Sequence, residues 1–431
     1  MAVSLTNFLD SGCIVASSLA LTAWAAAFNF GSAWTAILGA IGANAFGAAV
    51  GALIGGFLTD KFGRTTIYKY NLLVYAAGVF IAMVAVNLPM VVVGVVLSGL
   101  SVGAGVPASW SYISETSTST KRASNIGISQ FAWSCGPAII FILSLVMSFI
   151  IPGFESDGTT LLPAGTYGPF DGMLATRLLF LVLFIVALIA WNLQRQLQES
   201  ADWAEKNAAA TEKQSFGKMM ATALKNPVNV KTIIFLVAVY LTWNLAAGTN
   251  GQFMPYLYAA AGNIDATGQS LLGVVQWVLV AVCSLAIFSR FGDIVSHRVL
   301  FGASALLALL SWVAIAVFGL AIQSGDTESM GWVLWVYVIL WGISAGFSAQ
   351  CCTELFPTQY RGGAQGIMFF LVRGALGIWS LVGVGAIMGD ISTNPAGFFP
   401  AAVIMCVVLL ISLVVGVIWC PKTQGKTLDQ I

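Results

Sequence analysis

The segment GGFLTDKFGRTTIY, residues 55–68, decides the reading of the whole chain. Gly56, Asp60, Lys61, Gly63 and Arg64 place a turn and three charges between two long apolar runs, near 37–58 and 67–88. At about 1.5 Å per helical residue, either run is long enough to cross a hydrocarbon core of about 30 Å. Glycine lets helices approach closely, aspartate suits a helix terminus or an arginine, and the basic residues keep such a turn in the cytoplasm. The segment therefore reads as a short cytoplasmic turn between two membrane spans.

Outward from this turn the pattern continues. The 431 residues are 58 % apolar and only 8 % charged, against about 25 % charged in soluble domains. So few charges cannot cover a water-facing surface, and the abundance of Leu, Ile, Val and Phe excludes disorder. Apolar runs lie near 13–33, 37–58, 67–88, 91–112, 125–150, 172–192, 230–258, 267–288, 299–320, 331–353, 364–387 and 397–419, twelve in all. In lipid they must be helices, because backbone groups there have no water to bond. The predicted fold class is an all-α polytopic membrane protein of twelve transmembrane helices in two six-helix repeats. Residues 1–192 form the first bundle, 193–229 a cytoplasmic linker with helical composition, and 230–431 the second bundle with a short tail. The start MAVSLTNFLDSG lacks a basic region and a cleavage site, so the first run is expected to be a retained span.

Orientation follows from the basic residues. With the N-terminus inside, sixteen of the 18 lysines and arginines fall on cytoplasmic segments, as the positive-inside rule predicts. Glu155, Asp157, Asp171, Asp265, Asp326, Glu328 and Asp390 mark the outside, including the Gly/Pro-rich loop 152–172. The protein is expected in the cell membrane with both termini cytoplasmic. The seven cysteines lie in apolar runs without metal-ligand spacing and read as core packing. The lone His297 offers no metal site, and no nucleotide-binding loop is present, so no cofactor is expected. The partners are a small-molecule substrate and the lipid bilayer, with no nucleic acid and a monomeric state.

The charged turns repeat. SRFGDIVSHR (289–298) places Asp293 and Arg298 after the eighth run much as Asp60 and Arg64 follow the second. SETSTSTKRASN and TELFPTQYRGGAQ each place a glutamate, Glu115 or Glu354, seven residues before an arginine, Arg122 or Arg361. Two halves with the same pair of charged turns imply an internal duplication, and parallel repeats suit alternating access. A solute site is then expected between the halves, lined by residues that hydrogen-bond from apolar walls. The candidates are Gln130 and Trp133 in SQFAWSCGP, and Asn244, Asn250, Gln252 and Tyr256 in TWNLAAGTNGQFMPYLY. Gln276, Gln350 and Arg373 lie in later runs. Amides bond hydroxyls and aromatic rings cover the apolar faces of a sugar. Arg373, deep in its run, costs about 2.5–3.5 kcal/mol by insertion scales and needs a reason. It either recognises an anionic group of the solute or is held by carbonyls and amides such as those of Gln130 or Asn250.

These motifs together resemble the major facilitator superfamily, and most nearly its sugar-porter branch. GGFLTDKFGR, Glu115 with Arg122, Arg177, ELFPTQYRG and the ending PKTQGKTLDQI carry the resemblance from residue 56 to 431. It implies a gating network of Asp60, Arg64, Glu115, Arg122, Asp293, Arg298, Glu354 and Arg361. It places Gln130 at the characteristic glutamine of the fifth helix, and Asn244 and Asn250 within the seventh-helix pattern. The tenth-helix Gly-Pro-x-x-Trp segment has no counterpart in GISAGFSAQCC, and Arg373 stands where a tryptophan is usual. Proton-coupled members resemble one another in a first-helix Asp and a fourth-helix Arg. Here Asn29 is read at the Asp position and VVVGVVLSGLSVG has no Arg. With no titratable group assigned to mid-depth, uniport or exchange of a sugar or acidic sugar derivative is favoured. The alternatives are a proton-coupled symporter of a sugar or organic acid, and a transporter-like receptor.

Overall fold

A computed structural model describes residues 4–118, 121–150, 173–197, 199, 216–260, 264, 266–324, 330–345, 356, 361–389 and 395–421. Every regular element among the described residues is helical. The first half comprises α1 (Ser4–Phe28), α2 (Ser32–Ile41), α3 (Phe46–Phe62), α4 (Arg64–Met83), α5 (Leu88–Thr116), α6 (Arg122–Ile150) and α7 (Leu174–Gln194). A short helix, α8 (Phe216–Lys225), lies in the predicted linker. The second half comprises α9 (Pro227–Leu236), α10 (Thr242–Ala260), α11 (Ala266–Cys283), α12 (His297–Ser324), α13 (Trp332–Ala345), α14 (Arg361–Trp379) and α15 (Phe398–Trp419). α9 and α10 join through the π-type turn Val237–Leu241 into one span, and α11 continues to Phe291 through another. Among the described residues eleven helices are long and apolar enough to cross a membrane, and Trp332–Ser344 is a shorter apolar helix at the tenth position.

The architecture is the expected two sets of six, with two departures that matter. The first span begins at Ser4, not near residue 13, so Asp10 lies inside it, buried at 3 % exposure. A charge interrupts an apolar run on paper, but a helix continues through it when the side chain is turned inward. Asn29 follows the end of that helix in the left-handed region, φ 51°, and is exposed. The second span is not continuous: α2 stops at Ile41 and α3 starts at Phe46.

The outer surface is apolar as well as the core. Ile150, Ile234, Trp332 and Trp419 are more than half exposed to the lipid side, whereas Arg64, Arg177 and Arg361 are buried. Close helix contact makes this possible. A Cβ on Gly56 would meet the Gly362 carbonyl oxygen at 2.3 Å, and one on Gly366 the Ala52 carbonyl oxygen at 2.5 Å. α3 and α14, from opposite halves, thus touch backbone to backbone, and a methyl group at either glycine would push them apart.

Candidate solute site and cytoplasmic charge cluster

A cavity lies between the halves, walled by the first, second, fourth and fifth spans on one side and the seventh, eighth and eleventh on the other. It is narrow, about 50 Å³. Gln130, Trp133, Asn244 and Arg373 line it, as the sequence predicts. Asn7, Ser11, Asn44, Trp110, Tyr240, Trp243, Trp277 and Phe369 join them. Rings from opposite halves meet at its edges: Trp133 and Trp277 lie 5.3 Å apart, and Trp110 and Phe369 5.0 Å apart edge to face. The aromatic cover absent from the tenth-helix motif comes from the fourth, fifth, seventh and eighth spans instead. Asn244 Nδ2 is buried without a hydrogen-bond partner among the described residues.

Arg373 is the thirteenth residue of the span Arg361–Met388, near its middle. Its Nη1 donates to the Asn44 carbonyl oxygen at 3.2 Å and to Asn44 Oδ1. Neither Gln130 nor Asn250 holds it. Asn44 Nδ2 donates to the Gly248 carbonyl oxygen at 3.2 Å. The sequence reading passes over Asn44 because GAIGANAFG, residues 39–47, is compatible with an unbroken apolar helix. One carboxylate does lie within a span, though not at its middle: Asp10 is the seventh of the 25 residues of α1. Asp10 Oδ2 is buried without a hydrogen-bond partner among the described residues, and Asp10 does not line the cavity. Among the described residues Asp10 and Arg373 form no ion pair.

The remaining candidates divide. Asn250 and Gln276 lie beside the cavity, not in its wall: Asn250 Oδ1 accepts from Gln276 Nε2 at 2.9 Å and from the Tyr337 hydroxyl. Gln252 is buried and does not line the cavity. Asn29 is exposed beyond the first span, so it is not the polar group that the first helix contributes. Gln350 and the side chain of Tyr256 lie outside the described residues.

At the predicted cytoplasmic ends a second cluster joins the halves. Glu115 Oε1 is 2.6 Å from Arg64 Nη2 and 3.2 Å from Arg361 Nη1, so one carboxylate ties an arginine from either half. Asp60 lies 3.4 Å from Arg64 and accepts from the backbone N–H of Gly362 and Gly363, at 3.1 and 2.6 Å. These two amides open α14, where unpaired N–H groups attract an anion. Glu199, which no motif signals, accepts from Arg64 N and Thr65 N at 3.0 Å each and from the Thr65 hydroxyl. It caps α4. Asp293 accepts from Ser124 N at 3.0 Å across the halves, whereas Arg298 donates to the Ile418 and Cys420 carbonyls of its own half. Arg177 donates to the Met83 and Ala85 carbonyls and so closes the far end of α4. Glu354 and the side chain of Arg122 lie outside the described residues.

Comparison with known proteins bears on the whole chain. The profile of the Major Facilitator Superfamily matches residues 3–381. The sequence is 36 % identical to the minor myo-inositol transporter IolF of Bacillus subtilis (strain 168), over 100 % of this chain and 92 % of that one. It is 21 % identical to the arabinose-proton symporter of the same organism, over 89 % and 83 % of the two chains. The fold matches the proton:xylose symporter XylE bound to 6-bromo-6-deoxy-D-glucose with a TM-score of 0.74 and 17 % identity, covering 100 % and 96 % of the chains. A partially occluded inward-open form of the xylose transporter XylE from E. coli matches at 0.70 and 16 %, covering 99 % and 98 %. Helix order, the duplicated charged turns and these matches converge, and the chain belongs to the Major Facilitator Superfamily.

Proposed function

We propose that this secondary transporter carries an uncharged polyol, with myo-inositol as the first solute to test, by alternating access through the cavity between its halves. The observation that carries this reading is the composition of that cavity. Amides from Asn7, Asn44, Gln130 and Asn244 are set among indole and phenyl rings around a single guanidinium, Arg373, which Asn44 already holds. Hydroxyl groups use amides as both donors and acceptors, and the C–H faces of a saturated ring lie against aromatic planes. The 36 % identity to a myo-inositol transporter supports the same class.

The acidic sugar derivative that Arg373 suggests on its own is less favoured, because Asn44 already occupies part of its fork of donors and the 36 % identical relative is named for a neutral polyol. Coupling also changes. The preference for uniport or exchange rests on a membrane interior without a titratable side chain, and Asp10 supplies one, so proton-coupled symport becomes the second reading. Gln130, Trp133, Asn244 and Arg373 are proposed as solute contacts, and Asp60, Arg64, Glu115, Arg361 and Asp293 as the gate that closes one side. The divisions 1–192, 193–229 and 230–431, the cytoplasmic termini and the monomeric state are proposed with it, since one chain walls the cavity from both halves.

Uptake of labelled myo-inositol into proteoliposomes containing the full chain tests the reading. Saturable uptake that is competed by neutral polyols and not by D-glucuronate is expected. Stronger competition by D-glucuronate would replace the neutral solute with an acidic one. Repeating the assay with an imposed inward proton gradient decides between symport and uniport.

A further inference from the structure

The second and eleventh spans pack against each other along their lengths. The end of α3 meets the start of α14 at Gly56 and Gly362, and Ala36 lies near Gly385 at the other end. Midway along this seam the second span is not helical. Gly42 to Ala45 form a turn, with Ala45 N donating to the Gly42 carbonyl at 3.2 Å. A break at that depth leaves backbone groups that lipid cannot satisfy, so it persists only where protein or a cavity receives them.

Here the opposite half receives one of them. The Asn44 carbonyl, released from helical bonding, accepts from Arg373 Nη1 at 3.2 Å, and Asn44 Oδ1 accepts from the same nitrogen. The other end of the amide donates to the Gly248 carbonyl at 3.2 Å. One residue of the first half thus holds two spans of the second, the seventh and the eleventh. The turn is enforced by its surroundings: a Cβ on Gly47 would meet the Ile41 carbonyl oxygen at 2.5 Å, and Gly99 of α5 packs on the Gly42 backbone, with room for no methyl group. Asn44 and Arg373 are 3 % and 8 % exposed, and both line the cavity. Only one nitrogen of the guanidinium is gripped by Asn44, which leaves the rest of its fork of donors directed by that grip.

We propose that the interrupted second span is a latch and that Asn44 is its positioning residue: its amide and freed carbonyl aim Arg373 at the solute when the halves are together, and both bonds break each time the halves part at this level. A neutral amide suits the task. It holds an arginine firmly enough to orient it, and it releases the arginine more readily than a carboxylate would. The latch rests on the cavity being the solute site, but its first test needs no solute.

The experiment uses the full chain carrying Ala247→Cys, a cavity-wall position beside Gly248, and reads maleimide reaction site by site by peptide mass mapping. Without solute, Asn44→Ala is expected to raise reaction of the introduced thiol about tenfold, in line with the loss of hydrogen bonds to a charged group. Asn44→Asp, which puts a carboxylate against Arg373, is expected to lower it below the parent. Cys13, buried in the first half, stays unreacted in all three proteins. Equal rates in the three proteins overturn the latch. Parallel increases at position 247 and Cys13 also overturn it, because they describe general loosening. In labelled myo-inositol uptake, Asn44→Asp lowers the maximal rate with little change in KM, and combining it with Arg373→Gln removes that difference. A difference that survives in the Arg373→Gln background assigns the effect to something other than the Asn44–Arg373 contact. Failure of wild-type myo-inositol uptake would change the solute, while the labelling result stands on its own.

Discussion

Arg361 and Arg373 lie twelve residues apart on one helix, both buried, and they are held in opposite ways. Arg361 meets a carboxylate directly: Glu115 lies 3.2 Å from it while also binding Arg64, and Nε donates to the Phe356 carbonyl at 3.0 Å. Arg373 meets an amide and a carbonyl, with no carboxylate in ion-pair contact among the described residues. A buried arginine in contact with a carboxylate is expensive to separate, because each partner left alone is an uncompensated charge. An arginine on neutral acceptors keeps donors for another molecule. The first arrangement is suited to closing one end of the protein, the second to recognising what passes through.

That contrast is open to direct attack, and Arg373→Gln is the strongest. Loss of the charge-assisted donors is expected to lower myo-inositol uptake about 50-fold, within the range for hydrogen bonds to charged groups. Uptake near the wild-type rate would remove Arg373 from the recognition side of the comparison. Arg361→Gln is expected to keep solute binding in detergent while losing transport, so the two variants separate the two roles.

Glu115→Gln sharpens the other half. It leaves Arg64 and Arg361 facing each other across a neutral amide, at a cost of about 3–5 kcal/mol to the closed form. Thermal unfolding at a lower temperature, together with faster thiol labelling from the gated side, is the expected result. Unchanged stability would show that the cluster does not hold the halves.

Asp10→Asn is a milder change. It keeps the shape of the side chain and removes only its charge and its capacity to carry a proton. Loss of proton-gradient stimulation with solute exchange retained is expected if the transporter is coupled through Asp10. Equal stimulation in both proteins would give Asp10 a purely electrostatic role toward Arg373. The smallest effect belongs to Asn29→Gly, at an exposed left-handed position. Uptake is expected to be unchanged and stability to move by no more than about 0.5 kcal/mol; a loss of uptake would return Asn29 to the solute site.

The legible parts share a cause. Asp60, Arg64, Glu115 and Arg361 interrupt apolar runs, so their positions and their repetition show in one dimension. Gln130, Trp133, Asn244 and Arg373 are conspicuous because polar groups and a cation are rare inside membrane runs. The parts that were hidden share a cause too. Asp10 sits near the start of an apolar run, and cutting the run at the charge moved the first span nine residues too late, from Ser4 to residue 13. Asn44 sits among glycines and alanines that fit a helix equally well; only the Gly42 and Gly47 pair hints at a turn. Glu199 caps α4 from a segment remote in sequence, and no local spacing announces such a contact.

The sequence by itself determined the solvent, the number of spans, the duplicated halves and the charged turns, because hydropathy and charge act residue by residue. Tertiary structure decided which polar groups share a space. It broke the second span and joined Asn44 to Arg373. It also buried Asp10 within the first span and moved Asn250 behind the wall. Those pairings depend on how helices far apart in the chain rotate and approach, and that rotation is set by glycine contacts and buried hydrogen bonds across the seam, which no single run of residues contains.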